Sequence, residues 1–489
     1  MRKYSEYKKE VICALLIALI TFVFSLQCSP NLWCNAEAGT DSSVFRTVAM
    51  MMDRGYVPYR DTFDHKGPFI YILNWLGMQI SYYRGIWLIE FAALFGTFLY
   101  MYKIIRIFCG RKLSVVLLIA CIALLFSYFD GGNLTEEYAM PFISMALFYY
   151  TKYLLTSEIH PFQIGVCGFG LGAVCLLRPN MIAVWGVFSF AVLIKCLSEK
   201  KYGDIAKYLL YFISGFCVIC IPILVWLWVK GAFSQFLYDY ILFNLQYSEA
   251  GTEATSAQFN SFIFFLNNKW ILFSLLILSY LIVRKKFLVP VSYAICFGVT
   301  LYMISISGAQ HMHYGMIIVP LLAYPLANLG KWCEKAMRKP EGAIASFVIM
   351  YLIVVLAFPA WLGGIERLEQ CLSSRGKSQR NAITTNTVDY IVKSTDEDDK
   401  ITVWGNWNII YVLSQRIPAS RYSYQHPIGT VDSGIYEQYF AEIEEQNPTL
   451  IVIREDGTEQ MIVDFVKEHD YKEVFRDGAD PVVKIYRKA

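Results

Sequence analysis

Long apolar runs recur through the first three quarters of this chain, and they constrain its architecture more than any other feature. A run of about 20 mostly apolar residues is enough to cross the hydrocarbon core of a bilayer. Runs of this kind lie near residues 11–29, 84–108, 113–129, 138–155, 162–178, 180–197, 207–229, 269–283, 287–306, 314–330 and 342–363. They predict a mainly α, polytopic bundle of transmembrane helices with about 11 spans. Composition agrees: the chain is 56% hydrophobic and 17% charged, against roughly 45–50% and about 25% in an ordinary soluble protein.

Basic residues cluster between the runs, at 103–112, 195–207, Arg284-Lys285-Lys286 and 331–339. With the N-terminus inside, every one of these clusters falls in the cytoplasm, as the positive-inside rule requires. The C-terminus is then outside. Arg2, Lys3, Lys8 and Lys9 ahead of the first run resemble a signal peptide. The many spans that follow favour an uncleaved first helix. Segment 68–82 is apolar but short, and suits an interfacial or partly buried helix. The runs 162–178 and 180–197, joined only at Pro179, are two spans or one re-entrant unit. The net charge is only +3, with basic residues in short clusters, so there is no nucleic-acid footprint. Most of the thirteen cysteines sit inside apolar runs, where they act as small hydrophobes. Their spacing is neither a disulfide framework nor a zinc pattern. A bridge between Cys28 and Cys34, which flank the end of the first run, is a minority expectation.

Two domains follow. Residues 1–365 form the membrane domain, whose first outer loop, 30–83, carries charges of both signs. From about 368 the composition becomes that of a soluble domain, so 366–489 is read as a small extracytoplasmic α/β domain. Segments 401–404, 450–453 and 482–486 read as strands, with turn signals at Asp456-Gly457 and Asp477-Gly478. Segments 382–393, 433–446 and 458–469 have helical periodicity.

The residues able to carry chemistry gather in the outer loops. Asp41, in Gly39-Thr40-Asp41-Ser42-Ser43, has two readings. A carboxylate beside apolar walls just above a membrane can act as a general base. Asp41 or Ser42 also fits as the N-cap of a helix over 44–52. In the loop from Pro58 to Pro68, Arg60 and Lys66 could hold a phosphate, while Asp61, Asp64 and His65 could orient a sugar or ligate a metal. The same aspartates could instead cap turns, with Gly67-Pro68 opening the next helix. In the second outer loop, Asn133 or Thr135 caps a helix whose positive end Glu136 and Glu137 favour; alternatively, the two carboxylates bind an acceptor or a cation. Arg178, before Pro179-Asn180, either meets a phosphate at bilayer depth or snorkels to the interface. His311 and His313 are i, i+2 and do not share a helix face; His313 is the better candidate for a phosphate or sugar hydroxyl, with an aromatic-belt role as the alternative. The aromatic and Arg-rich stretches 404–407 and 416–422 suit sugar stacking or a core. No P-loop, G-x-S-x-G or H-E-x-x-H is present.

Several of these stretches together resemble the GT-C glycosyltransferase superfamily, nearest its bacterial protein-mannosyltransferase-like and lipid A aminoarabinose-transferase-like members. They are Asp41-Ser42-Ser43-Val44-Phe45, Gly55-Tyr56-Val57-Pro58-Tyr59-Arg60-Asp61, Phe63-Asp64-His65-Lys66-Gly67-Pro68, Gly132-Asn133-Leu134-Thr135-Glu136-Glu137 and Leu177-Arg178-Pro179-Asn180. The resemblance covers residues 1–365. It implies an enzyme of the cell membrane that takes a sugar from a polyprenyl-phosphate donor on the outer face and passes it to a lipid, glycan or protein hydroxyl. Asp41 would be the general base, and Glu136 or Glu137 the second-loop acidic residue. The leaving group is a lipid phosphate, whose growing charge cations should stabilise; Arg60, Lys66, Arg178 and His313 are the candidates. No cofactor is dictated, and a divalent metal is the one candidate. Two alternatives stand beside this reading: a lipid-linked-glycan polymerase or ligase, and a flippase or transporter of lipid-linked sugars. The transporter predicts charges inside spans and two related halves, neither of which is seen.

Overall fold

The structure, a computed structural model, describes residues 2–250, 255–284, 287–375, 378–426, 428–455 and 457–489. Lys285, Lys286 and Asp456, which the sequence reading used as topology and turn signals, lie outside the described residues. The chain sorts into two compact units, each assembled from several stretches. Residues 1–28, 87–223 and 251–373 make the first, and 29–86, 224–250 and 374–489 make the second.

Among the described residues, six helices are long and apolar enough to cross a bilayer: Gly85–Arg106, Arg111–Tyr128, Tyr202–Val229, Leu288–Ser305, Met312–Ala336 and Pro340–Ser373. Ser256–Leu266 and Lys269–Val283, bent by 77°, make a seventh if the pair is one span. The other expected spans fall on helices Arg2–Ser25, Thr135–Thr156, Pro161–Cys175 and Ala183–Ser198. The last two have 15 and 16 residues. At about 1.5 Å per residue they reach roughly 22–24 Å, short of the hydrocarbon thickness of about 30 Å. A short 3-10 turn, Pro179–Met181, separates them. Residues 312–336 open as 3-10 helix, Met312–Leu322, before continuing as the α-helix Ala323–Ala336. Runs of 3-10 helix this long are uncommon, and here Pro320 and Pro325 each withhold a backbone N–H.

Inside the first unit, close helix approach depends on small residues. A Cβ on Gly168 would strike the backbone of Phe212, and one on Gly215 would strike the backbone of Gly165. In lipid, where apolar burial alone does not drive helices together, such backbone contact is a main source of packing energy. At one end of this unit Glu10 pairs with Arg106 and Arg111, at 3.3 and 2.7 Å, so part of the first basic cluster is neutralised by the opening helix.

The second unit holds two sheets. Strand β1 (Asn35–Ala36) pairs in parallel with β2 (Ser378–Gln379). The larger sheet contains β3 (Lys400–Trp404), β4 (Ile417–Pro418), β5 (Leu450–Arg454), β6 (Tyr471–Asp477) and β7 (Val483–Lys488), in the order β4-β3-β5-β7-β6. β3 is parallel to β4 and β5, while β7 is antiparallel to β5 and β6. β3 and β5 are apolar almost throughout and buried on both faces, as parallel strands covered by helices should be. The core joins Met50 and Met51 of helix Thr40–Asp53 to Ile391, Ile401, Val403, Tyr411, Leu450, Val452 and Ile485.

Helices Ala382–Ser394, Gly434–Gln446 and Gln460–Glu468 lie where periodicity places them. Strand β6 was not predicted: it is an edge strand whose Lys472, Glu473, Arg476 and Asp477 leave no apolar signal. Segment 68–82 is a helix, Pro68–Ile80, with Pro at its first position as helix starts favour. None of the described cysteines is in a disulfide, so the bridge weighed between Cys28 and Cys34 is not formed.

Candidate functional site

In the second unit the site is built around Asp64. The chain turns through 58–67 between helices Thr40–Asp53 and Pro68–Ile80, and Tyr59 takes a left-handed conformation, φ 68°. That region is unfavourable for a bulky residue. Tyr59 is held there by burial and by its hydroxyl, which donates to the Lys66 carbonyl at 2.7 Å. Asp64 is buried, and its carboxylate accepts from the hydroxyls of Tyr71 and Tyr424, each at 2.9 Å, and from the His65 N–H at 2.8 Å. Burial pushes the Asp64 carboxyl above its usual range, Lys66 and the two phenols pull it back, and the charge of Asp41 pushes it up again. Asp41 and Lys66 therefore share the neighbourhood of Asp64. The Lys66 ammonium also meets His65 Nε2.

Asp41 is not the helix cap that its sequence allows. Gly39 occupies that place, the helix opens at Thr40, and Asp41 lies in the first turn, where a negative charge suits the positive end of the helix. Its carboxylate accepts no protein hydrogen bond among the described residues.

Arg60 and Asp61 form a two-pronged pair, at 2.9 and 2.7 Å. Asp61 also accepts the Val57 N–H at 2.7 Å, and Arg60 donates to the Lys230 carbonyl at 2.9 Å. Partial burial opposes ionisation of Asp61, but the Arg60 guanidinium and the Val57 N–H hold its carboxyl below the usual range. Asp61, Asp64 and His65 are thus turned to separate contacts, and among the described residues they do not form a ligand set for a metal.

The sequence reading missed Asp239. It lies on a single π-helical turn, Leu237–Leu242, of the kind often found at functional positions. Its side chain is 1% exposed and pairs with Arg421. Burial raises its carboxyl to about 7; Arg421 opposes this and the Asp64 charge adds to it. Arg421 in turn faces the rings of Phe63 and Tyr422, and its carbonyl accepts the Phe63 N–H at 2.8 Å. The one available signal was a lone acid in an aromatic stretch, Phe236-Leu237-Tyr238-Asp239-Tyr240. Of the residues considered for sugar stacking, Trp404 is buried in the aromatic core with Tyr439 and Phe440, and Arg416 is spent on Thr395 and Ser414.

In the first unit, Glu136 and Glu137 part company. Neither Asn133 nor Thr135 caps their helix; Leu134 holds the cap position and makes no side-chain cap bond. Glu137 reaches back to accept the Asn133 N–H at 2.7 Å. Glu136 instead pairs with Arg178 at 2.7 Å, and Arg178 lies over the Tyr314 ring at 4.3 Å. Consecutive helical residues point about 100° apart, so the divergence is what a helix dictates. His313 stands 3.9 Å from Asp130, a long approach, and stacks on His311 at 5.5 Å.

The fold has known counterparts. The aminoarabinose transferase ArnT from Cupriavidus metallidurans superposes with a TM-score of 0.64 in its apo state, at 11% identity over 98% of each chain. The same protein bound to undecaprenyl phosphate gives 0.62 at 12% identity. The archaeal oligosaccharyltransferase AglB from Archaeoglobus fulgidus, in complex with an inhibitory peptide and a dolichol-phosphate, gives 0.50 at 13% identity, covering 97% of this chain and 74% of that one. The chain therefore shares its fold with ArnT and AglB. No curated protein matches it in sequence. Residues 2–359 match the family described as "Putative competence-induced protein Ccs4 N-terminal domain", and the chain belongs to that family.

Proposed function

We propose that this chain is a membrane glycosyltransferase that moves a sugar from a polyprenyl-phosphate carrier to a hydroxyl acceptor, with Asp41 as general base and Lys66 as the cation that meets the donor phosphate. One feature carries the reading: the Asp41 carboxylate and the Lys66 ammonium lie near enough to the same buried carboxylate, Asp64, for both charges to act on it. The Asp41 carboxylate, with no protein hydrogen bond to satisfy among the described residues, is suited to accept the acceptor's proton. In the step, the acceptor oxygen bonds to the anomeric carbon and the carbon–oxygen bond to the phosphate breaks. The electron pair leaves with the phosphate, beside Lys66, and the hydroxyl proton goes to Asp41. We assign Tyr71 and Tyr424 to holding Asp64, and the Arg60–Asp61 pair to holding the shape of the loop. Binding of undecaprenyl phosphate by ArnT and of a dolichol-phosphate by AglB supports a polyprenyl carrier.

The test is transfer by the purified protein in lipid vesicles, comparing a labelled polyprenyl-monophosphate sugar with a diphosphate-linked oligosaccharide. Turnover of the monophosphate donor is expected, with Asp41→Asn lowering it by about 100- to 10,000-fold, the range a general base contributes. Full activity in Asp41→Asn would remove Asp41 as base. Turnover of the diphosphate donor alone would replace the reading with a polymerase or ligase.

A further inference from the structure

We propose that Cys28, Glu90 and Glu137 form a binding site for a divalent metal ion of the zinc class within the first unit. The three residues come from separate stretches. Cys28 follows the helix Arg2–Ser25, Glu90 lies in the second turn of Gly85–Arg106, and Glu137 lies in the first turn of Thr135–Thr156. One thiol sulfur and two carboxylate oxygens from these residues all lie within 4.8 Å of one another. All three side chains are buried, at 0%, 1% and 0% exposure.

Two carboxylates brought together away from water are costly unless a cation or a proton neutralises them. The hydrogen bonding of Glu137 points to a cation. Its Oε2 takes the Asn133 N–H at 2.7 Å, while Oε1, fully buried, receives no N–H or hydroxyl and is left to the neighbouring Glu90 carboxyl. A Cβ on Gly132 would collide with Glu90 Oε1 and come within 3.2 Å of the Cys28 sulfur. Gly132, at φ +80°, thus lets the loop close over the cluster without filling it. The donor set selects the metal: one soft thiolate with two carboxylates suits zinc and its neighbours among the transition metals better than magnesium or calcium, which take oxygen ligands. Loading releases the Cys28 thiol proton and any proton held by the carboxylates. Cys28, as a plain buried hydrophobe, would need neither acid beside it.

This site is independent of the sugar-transfer reading, and its test needs no activity. The full-length protein, purified in detergent, is analysed for bound metal, and its thermal unfolding is followed with and without chelator. About one zinc per chain is expected, with unfolding shifted down by chelation and restored by added zinc. Glu137→Gln and Glu90→Gln should weaken zinc binding by more than about 100-fold, beyond the 10- to 100-fold typical of changes to outer-shell groups. The metal-free variants should unfold no lower than metal-free wild type, because each removes one of two crowded acids. Cobalt loading should give a thiolate-to-metal charge-transfer band in wild type that Cys28→Ser abolishes. A wild-type protein that takes up neither zinc nor cobalt overturns the proposal, and a Glu137→Gln that then unfolds higher than wild type would identify a shared proton in its place. Zinc uptake unchanged in all three variants would place the metal elsewhere, and overturns it equally.

Discussion

Exchanging Asp239 for asparagine is expected to flatten the pH dependence of stability in the second unit. Burial moves this carboxyl from its ordinary 3.8 to about 7, against the opposing pull of Arg421. Below about 3.8 the folded and unfolded chains both hold the proton. Between there and about 7 the folded state keeps a proton that the unfolded chain has released, so stability falls as pH rises; above about 7 the fall is complete. Each pH unit in that window is worth about 1.4 kcal/mol. Between about pH 5 and about pH 8 some two units count, so wild type should lose about 3 kcal/mol that Asp239→Asn does not. For a unit of this size that is about 6–12 °C in unfolding temperature. The assay is thermal unfolding in detergent, followed by tryptophan fluorescence across the pH series for both proteins. Buried acids that do not act on Asp239 tilt both curves alike, so the difference between the curves reports Asp239 together with Asp64, whose charge is coupled to it. A difference that stays flat with pH would mean that Asp239 is ionised throughout and held by Arg421, and the burial argument would fail.

Two further outcomes follow from packing and charge in the first unit. Arg178→Ala should lower stability by about 3–5 kcal/mol, because it strands the buried Glu136; the double variant Arg178→Met, Glu136→Leu should recover much of the loss, and chemical unfolding of the three proteins checks both. Gly168→Ala should destabilise by about 1–3 kcal/mol through collision with the Phe212 backbone, whereas Gly298→Ala, with nothing within 4 Å of its added methyl, should not; their unfolding temperatures decide.

The long apolar helices were legible because an unbroken apolar run shows directly in sequence; of the eleven spans expected, six described helices, or seven with the bent pair, have the length and composition to cross. The central strands β3 and β5 were legible for a related reason: burial on both faces leaves unbroken runs such as Leu450-Ile451-Val452-Ile453. Edge strand β6 has no such imprint, since its charged residues face water. In the loop at 58–68 the sequence displayed the right density of charge but not its allocation. Arg60 finds Asp61 next door, while Asp64 is satisfied by Tyr71, seven residues on, and by Tyr424, some 360 residues away. Asp239 was illegible because its character comes from burial and from Arg421, neither of which is local. The separation of Glu136 from Glu137 was available in advance, since adjacent positions on a helix cannot face one direction.

The second unit draws its core from Met50 and Met51 as well as from β3 and β5, and this has a consequence for biogenesis. The early loop emerges from the ribosome about 350 residues before the strands it packs against. At 5–20 residues per second this is roughly a wait of tens of seconds. Throughout that interval the segment bearing Asp41 is without its sheet, so it is a natural client for chaperones, and a nascent chain stalled before β3 would leave it permanently unassembled.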